Sequence, residues 1–252
     1  MSGNRPLAFV DLDDTLFQTV RKMAEGVPRT PATLDVQGQP NSFMDPVQHA
    51  FIKWLLTTAD VIPVTARSVE AYSRVMLPFA EGAICSHGGV MLRPSGILDP
   101  AWHGRMVEAL RSVQDRLPAL SEATLRIGSE LGYSLRSWVV EEEGLRHYVV
   151  VKRNEPDDSV LTEVLAEVRS RRMLDGMHVH ANGNNLAFLP TGLAKRLAVQ
   201  EWLRRDREIH GERPVLGFGD SITDLGYMDL CHMWATPARS QLANLVADLV
   251  NG

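Results

Sequence analysis

The segment LAFVDLDDTLF, residues 7–17, sets Asp11, Asp13 and Asp14 directly behind a run of apolar residues. Carboxylates this close repel one another and lose hydration where a buried strand ends. The cluster therefore costs free energy unless a cation or fixed hydrogen bonds compensate it. Asp11 and Asp13, two apart at a strand-to-loop junction, direct their side chains toward a common space. Hard oxygen donors of this kind suit Mg²⁺, which keeps several waters and takes one or two carboxylates together with phosphate oxygens. Far along the chain, GFGDSITD contributes Asp220 at the end of another apolar run and Asp224 just beyond it. Gly217 and Gly219 let the backbone turn where side chains would crowd such a site. Four acids around one divalent ion leave surplus negative charge and require a fixed cation; Lys195, in TGLAKRLAVQEW, is the candidate. Thr65, closing the run DVIPVT, adds a hydroxyl donor. Acids, hydroxyl and ammonium then surround one anion, an arrangement suited to a phosphoryl group.

These residues are useful only if the fold gathers them. PLAFVD, DVIPVT and PVLGFGD are short apolar runs without alternation, the pattern of parallel strands covered on both faces, and GAICSH (82–87) is a fourth candidate. Helical patterns intervene, DPVQHAFIKWLLTT before the second run and SVEAYSRVMLPFA after it. Strands alternating with helices imply a doubly wound α/β parallel sheet, in which ligands sit beyond the carboxyl ends of the strands. Asp11, Asp13, Thr65 and Asp220 would meet there.

From about Gly89 to Pro190 the texture changes. A helix is expected over 101–117, strands at TLRIGSE, YSLRSWVVEE and LRHYVVVKR, a helix over 157–173, and a hairpin of MHVHA and LAFLP around NGNN, whose Asn-Gly suits a type I′ turn. This reads as an inserted α+β domain over 89–190, within an α/β core formed by 1–88 and 191–252. The α/β pattern resumes with a helix over 192–209, a strand over 214–218 and a terminal helix around SQLANLVADLV. Residues 18–46 fit neither part and read as a loop or hairpin flap over the end of the first strand.

The bulk properties exclude several classes. A net charge of −5 argues against a surface built to neutralise nucleic-acid phosphates, and the basic runs RSRRM and RLAVQEWLRRDR alternate with acids on helical patterns. No apolar run approaches the roughly 18 residues of a membrane span. The first residues carry no apolar stretch of signal-peptide length, so a cytoplasmic location is expected. Cys85 and Cys231 lie far apart without metal-type spacing and read as buried free thiols.

At this point the sequence resembles a family, the haloacid dehalogenase-like phosphatases. DLDDT matches their DxDxT motif, VIPVT their second motif, Lys195 their third and GDSITD their GDxxxD fourth, in the family's order across nearly the whole chain. An insertion between the second and third motifs is similar to the family's second cap type, found in its Cof-like and sucrose-phosphatase-like branches; TARS stands where those branches commonly show TGRS. The resemblance implies a Rossmann-like core and a Mg²⁺-dependent phosphatase. It assigns Asp11 as the nucleophile that becomes an aspartyl-phosphate and Asp13 as the acid that protonates the leaving oxygen and then activates water. It implies that Asp11, the Asp13 backbone carbonyl and Asp220 hold Mg²⁺, that Thr65 and Lys195 bind the phosphoryl oxygens, and that Asp224 orients Lys195 or a metal-bound water.

Other residues carry two readings. Arg67 either contacts substrate or caps and pairs locally. Asp14 points away on strand alternation and is read as a local hydrogen-bonding group. His178 and His180 share a strand face at i, i+2 spacing, and with no third soft ligand nearby a polar sheet face is preferred over a metal site. In the inserted region Arg126, Arg136, Arg146, His147 and Lys152 are polar residues on strand candidates that could face a ligand. The leading functional expectation is a phosphatase for a small phosphorylated metabolite, a sugar phosphate or a related polyol or glycerate phosphate. The alternatives are a phosphomutase or phosphotransferase on the same scaffold, and a receiver-like signalling domain that phosphorylates an aspartate but has no use for an inserted domain.

Overall fold

A computed structural model describes residues 5–154, 157, 159–182 and 185–251. The chain falls into two compact units, one formed by the residues up to Asp99 together with those from Lys195 onward, the other by Pro100–Ala194.

The first unit begins with β1 (Leu7–Val10), buried at every position. β2 (Gln18–Thr19), β3 (Thr30–Leu34) and β4 (Pro40–Met44) form a separate antiparallel sheet in the order β2-β4-β3, the flap expected between 18 and 46. Helix α1 (Pro46–Thr58) starts at a capping box in which the Asp45 carboxylate accepts from the Gln48 N–H at 2.8 Å and the Gln48 amide oxygen accepts from the Asp45 N–H, with Pro46 pre-set for the first turn. Then come β5 (Asp60–Pro63), the single turn α2 (Val69–Tyr72), β6 (Ala83–Cys85) and β7 (Val90–Leu92).

The second unit consists of α3 (Pro100–Leu110), α4 (Arg116–Glu130), β8 (Leu135–Glu142), β9 (Leu145–Arg153), α5 (Ser159–Ser170), β10 (Met177–Asn182) and β11 (Asn185–Pro190). Its strands make one antiparallel sheet in the order β10-β11-β9-β8. Val149, Val151, Leu186 and Phe188 line the face that packs against Leu117, Leu120 and Ile127 of α4 and Leu161, Val164 and Val168 of α5. The alternate residues of the strands occupy the other face. The chain returns to the first unit through α6 (Lys195–His210), β12 (Val215–Phe218), α7 (Ile222–Met228), β13 (Met233–Ala235) and α8 (Gln241–Asn251).

The core sheet is wholly parallel, ordered β13-β12-β1-β5. Ala8, Val10 and Val61 face α1 through Ile52 and Leu55, while Leu7 and Ile62, on the opposite face, share a cleft with Trp202 and Ile209 of α6. Helices thus flank both faces, as a doubly wound sheet requires.

Several elements differ from expectation. GAICSH is not a full fourth strand of the core sheet: β6 pairs antiparallel with β7 and touches the core only through a parallel bridge between Ile84 and Val64, while β13 fills the opposite edge. β7 belongs to the first unit by that pairing, although it lies inside the region whose texture changes at Gly89. TLRIGSE is helix, the second half of α4. Leu117, Leu120, Ser121, Thr124, Ile127 and Gly128 are its buried residues, a helical repeat that a seven-residue window with locally alternating polarity conceals. SVEAYSRVMLPFA is helical only at α2, because Leu34 N–H donates to Arg74 O and Met76 N–H to Ala32 O, drawing the following residues onto the flap. The turn expected at NGNN centres on Gly183 and Asn184, which lie outside the described residues; the flanking strands pair as the hairpin requires. Among the described residues no helix is long and apolar enough to cross a membrane.

Candidate active site

β1, β5 and β12 run parallel in adjacent positions, so the residues that follow them emerge at one edge of the sheet. Asp11 follows β1 directly, and its N–H donates to Phe218 O at 2.8 Å, locking it beside the end of β12. Asp220 lies two residues beyond β12. Val64 N–H donates to Val10 O, which sets the approach to Thr65 against the end of β1.

One carboxylate oxygen from each of Asp11, Asp220 and Asp224 lies within 4.8 Å of the others. Lys195, at the first position of α6, sends its Nζ to Asp11 Oδ1 at 2.5 Å and to Asp224 Oδ1 at 2.7 Å. All four charges are withdrawn from solvent, Asp220 least completely. Asp224 is fixed from the other side as well: its Oδ2 accepts from the Ser221 N–H at 3.0 Å and from the Ser221 hydroxyl at 2.6 Å, at the start of α7. Of the two glycines, Gly217 lies within β12 and packs against Met228 and Cys231, and Gly219 makes the turn. A Cβ on Gly219 would come within 2.5 Å of Asp224 Cβ and 2.8 Å of Met228 Sδ, so only glycine lets the β12–α7 turn close over the acid.

Titration behaviour follows from this crowding. Burial pushes the Asp11 carboxyl well up, Lys195 opposes that, and repulsion from Asp224 and Asp220 adds to it. Burial, followed by repulsion from Asp224 and Asp14, raises Asp220 to about 7, with Lys195 in partial opposition. Burial alone would raise Asp224 too, but Lys195 and the Ser221 donors hold it below the ordinary carboxylate range. Lys195 is desolvated, which would lower it, yet the attraction of Asp11 and Asp224 keeps its ammonium charged to higher pH than usual. One ammonium among three carboxylates leaves the acids under-compensated. The donor set, hard oxygens alone, fits a Mg²⁺ ion.

The other expected residues are distributed around this cluster. Asp13 turns its carboxylate to Arg67, whose Nε and Nη2 each lie 2.7 Å from one of its oxygens. The planar guanidinium takes the carboxylate bidentately. The four-carboxylate set expected from the sequence thus divides into three that converge and one, Asp13, whose side chain is held apart. Arg67 also lies over the Phe17 ring at 5.3 Å, so the local-pairing reading of this residue describes its position. Thr65 is fully buried, and its Oγ1 accepts from the Arg67 N–H at 3.1 Å, which leaves its own proton free to be donated. Asp14, in the left-handed region at φ 64°, pairs with Lys22 at 2.5 Å.

Two residues belong to the site without having been assigned to it. Thr15 places its hydroxyl 3.5 Å from both Asp11 Oδ2 and Asp220 Oδ1. Its signal was present in DLDDT, whose terminal threonine had been given no role. Tyr227 donates its hydroxyl to Phe218 O at 2.5 Å and brings its buried ring 5.8 Å from Lys195 Nζ. Nothing in the sequence marks that tyrosine.

No family model matches the chain and no curated protein does either. Solved structures do match. The sucrose-phosphatase from Synechocystis, in complex with sucrose and phosphate, aligns over 98% of this chain and 98% of its own at 14% identity, with a TM-score of 0.54. The C-terminal domain of the C. albicans trehalose-6-phosphate phosphatase aligns over 90% of this chain and 73% of its own at 15% identity and a TM-score of 0.54. A haloacid dehalogenase-like hydrolase from Bacteroides thetaiotaomicron aligns over 98% and 99% at 13% identity and a TM-score of 0.52. The chain has the haloacid dehalogenase-like fold. Within that fold Asp11, Thr65, Lys195 and Asp220 all stand at the beginnings or ends of core elements, which explains why residues spread over 210 positions converge.

Proposed function

We propose that the chain is a Mg²⁺-dependent phosphatase that hydrolyses a small phosphorylated metabolite, a sugar phosphate or a related polyol or glycerate phosphate, through an aspartyl-phosphate on Asp11. The observation that carries this reading is the convergence of Asp11, Asp220 and Asp224 around the ammonium of Lys195. In this reading the unit containing the parallel sheet is the catalytic core and the inserted unit is the cap that selects the substrate. Sugar phosphates are favoured because the structures that share the fold include phosphatases named for sucrose and trehalose-6-phosphate.

Asp11, Asp220, Asp224 and the backbone at Asp13 would hold the ion. When bound, Mg²⁺ supplies positive charge that keeps the carboxylates ionised and lets an anionic nucleophile approach an anionic phosphoryl group. Lys195 holds one oxygen of Asp11 in place, leaving the other, Oδ2, to attack phosphorus in line while the bond to the departing alkoxide breaks. Thr65 donates its hydroxyl to the transferring group, and Lys195 adds a buried positive charge beside it. Asp13 gives a proton to the departing oxygen, then takes one from the water that attacks the aspartyl-phosphate and restores Asp11. To do so it must leave Arg67, with which it forms an ion pair, and take up a proton from solvent before it meets the leaving oxygen.

The test is a phosphate-release screen over a panel of phosphorylated metabolites, with and without Mg²⁺, run on the wild type and Asp11→Asn. Chelator-sensitive release that Mg²⁺ restores, lost at least a thousandfold in an Asp11→Asn protein of unchanged fold, is expected. Release indifferent to chelator, or substantial turnover by Asp11→Asn, would overturn the reading. Product analysis separates hydrolysis from transfer, which would place phosphate on a second hydroxyl with little of it free.

A further inference from the structure

On the face of the β10-β11-β9-β8 sheet opposite α4 and α5, two cations stand together. Arg136 of β8 and Lys152 of β9 are direct cross-strand partners. Trp138, two residues along on the same face, lies beneath the Lys152 ammonium, with the ring centroid 5.7 Å from Nζ. Arg136 donates from Nε to the neutral Asn154 side chain at 2.8 Å, and among the described residues neither cation has a carboxylate partner. Lys152 is half-buried, and burial together with the charge of Arg136 lowers its affinity for a proton.

Several other cations, by contrast, have acid partners. At the other end of the same two strands Arg146 lies near both Asp115 and Glu141. Arg171 pairs with Glu130 and Glu167, and Arg204 with Glu201 and Glu208. An adjacent cross-strand Lys–Arg pair without an anion carries unrelieved repulsion, which a lone unmatched surface arginine does not. The five polar residues singled out in the inserted region narrow to these two. Arg126 is on α4, His147 is buried on the helix-covered face, and Arg146 is neutralised.

We propose that Arg136 and Lys152 form an oxyanion-binding site at the exposed β8 side of the sheet face opposite α4 and α5, taking the carboxylate or phosphate of a small metabolite. The guanidinium supplies a planar fork for two oxygens and the ammonium a point charge, while cation–π contact with Trp138 keeps the lysine beside the arginine before the ligand arrives. The anion is either a second acidic group of the substrate or a separate metabolite; the chemistry of recognition is the same. The site stands independently of the activity proposed above, and only the kinetic arm of its test rests on that activity.

The full-length protein, ¹⁵N-labelled, is titrated with inorganic phosphate at constant ionic strength while the Trp138 indole N–H, assigned through Trp138→Phe, is followed. A saturable shift is expected, weakened at least tenfold in Arg136→Met/Lys152→Met, with an unchanged melting temperature showing that the variant folds. A Trp138 response that stays linear in phosphate, or that survives the double substitution, would overturn the site and leave a solvated sheet face. Kinetics then locate the source. A KM raised at least tenfold by the double substitution for a phosphate ester bearing a second acidic group, and unchanged for the ester without it, assigns the anion to the substrate. Unchanged KM for both esters, with Trp138-reported phosphate binding lost, assigns it to a separate metabolite.

Discussion

His147 lies on the helix-covered face of β9 with no solvent exposure, and among the described residues neither ring nitrogen has a hydrogen-bond partner. Burial, reinforced by the charge of His103 on α3, pushes its imidazole down from 6.5 to about 4. The sign of the linked effect follows. Above pH 6.5 both the folded and the unfolded chain carry a neutral ring and nothing is lost. Between 6.5 and 4 the unfolded chain takes up a proton that the folded one refuses, so stability falls as pH falls; below 4 the loss is complete. The interval corresponds to about 3 kcal/mol in total, of which about 2 kcal/mol is lost on going from pH 8 to pH 5. His147→Leu removes the titration and two unsatisfied polar atoms, so the variant should exceed the wild type by about 1–2 kcal/mol at pH 8 and by about 2 kcal/mol more at pH 5. Hydrogen exchange of the β9 amides in both proteins, measured across that range, reads the stability of the inserted unit directly. A wild-type-to-variant difference that stays constant between pH 8 and pH 5, or an NMR titration of His147 near 6.5, would refute the reasoning.

Three further outcomes are expected. Gly219→Ala should displace Asp224 and cost about 1–3 kcal/mol through overpacking, with turnover falling far more than the melting temperature implies; normal kinetics would show that the turn tolerates a methyl group. Asp206→Asn should destabilise the first unit by about 3 kcal/mol, because the buried Arg213 guanidinium loses a bidentate partner and keeps only Asp60 and the Arg5 carbonyl; a change in denaturation midpoint equivalent to well under about 1 kcal/mol would contradict this. Since Asp220 titrates at about 7 without metal, a proton should compete with Mg²⁺ below that pH, and the apparent affinity should fall about tenfold per pH unit. Calorimetry showing constant affinity from pH 7 to pH 5 would exclude that competition.

The parallel core was legible because its strands are buried on both faces, so β1 and β12 read as uninterrupted apolar runs ending in the residues that matter. β13 was not, since its three residues are exposed and carry no such run. The convergence of Asp11, Asp220 and Lys195 could be inferred because each sits at the terminus of a recognisable element, and the sheet topology did the rest. The position of Asp13 was not legible. Alternation places Asp11 and Asp13 on a common side, but the chain leaves β1 at Val10, and Arg67, 54 residues away, captures the second carboxylate. Helix α4 was misread in part because local alternation in TLRIGSE competes with a longer helical repeat in a helix that begins eight residues earlier, at Arg116. For Asp13 the missing information is a tertiary partner, which no window of neighbouring residues contains; for α4 it is a repeat longer than the window.

The proposed mechanism requires one divalent cation shared by Asp11, Asp220 and Asp224, with the Asp13 side chain outside its grasp. Isothermal titration of Mg²⁺ into the wild type, Asp220→Asn, Asp224→Asn and Asp13→Asn measures this directly. One ion per chain is expected, with at least tenfold weaker binding in Asp220→Asn and Asp224→Asn and near wild-type affinity in Asp13→Asn. Binding that Asp220→Asn and Asp224→Asn leave intact, or that Asp13→Asn weakens as much as they do, would contradict the mechanism.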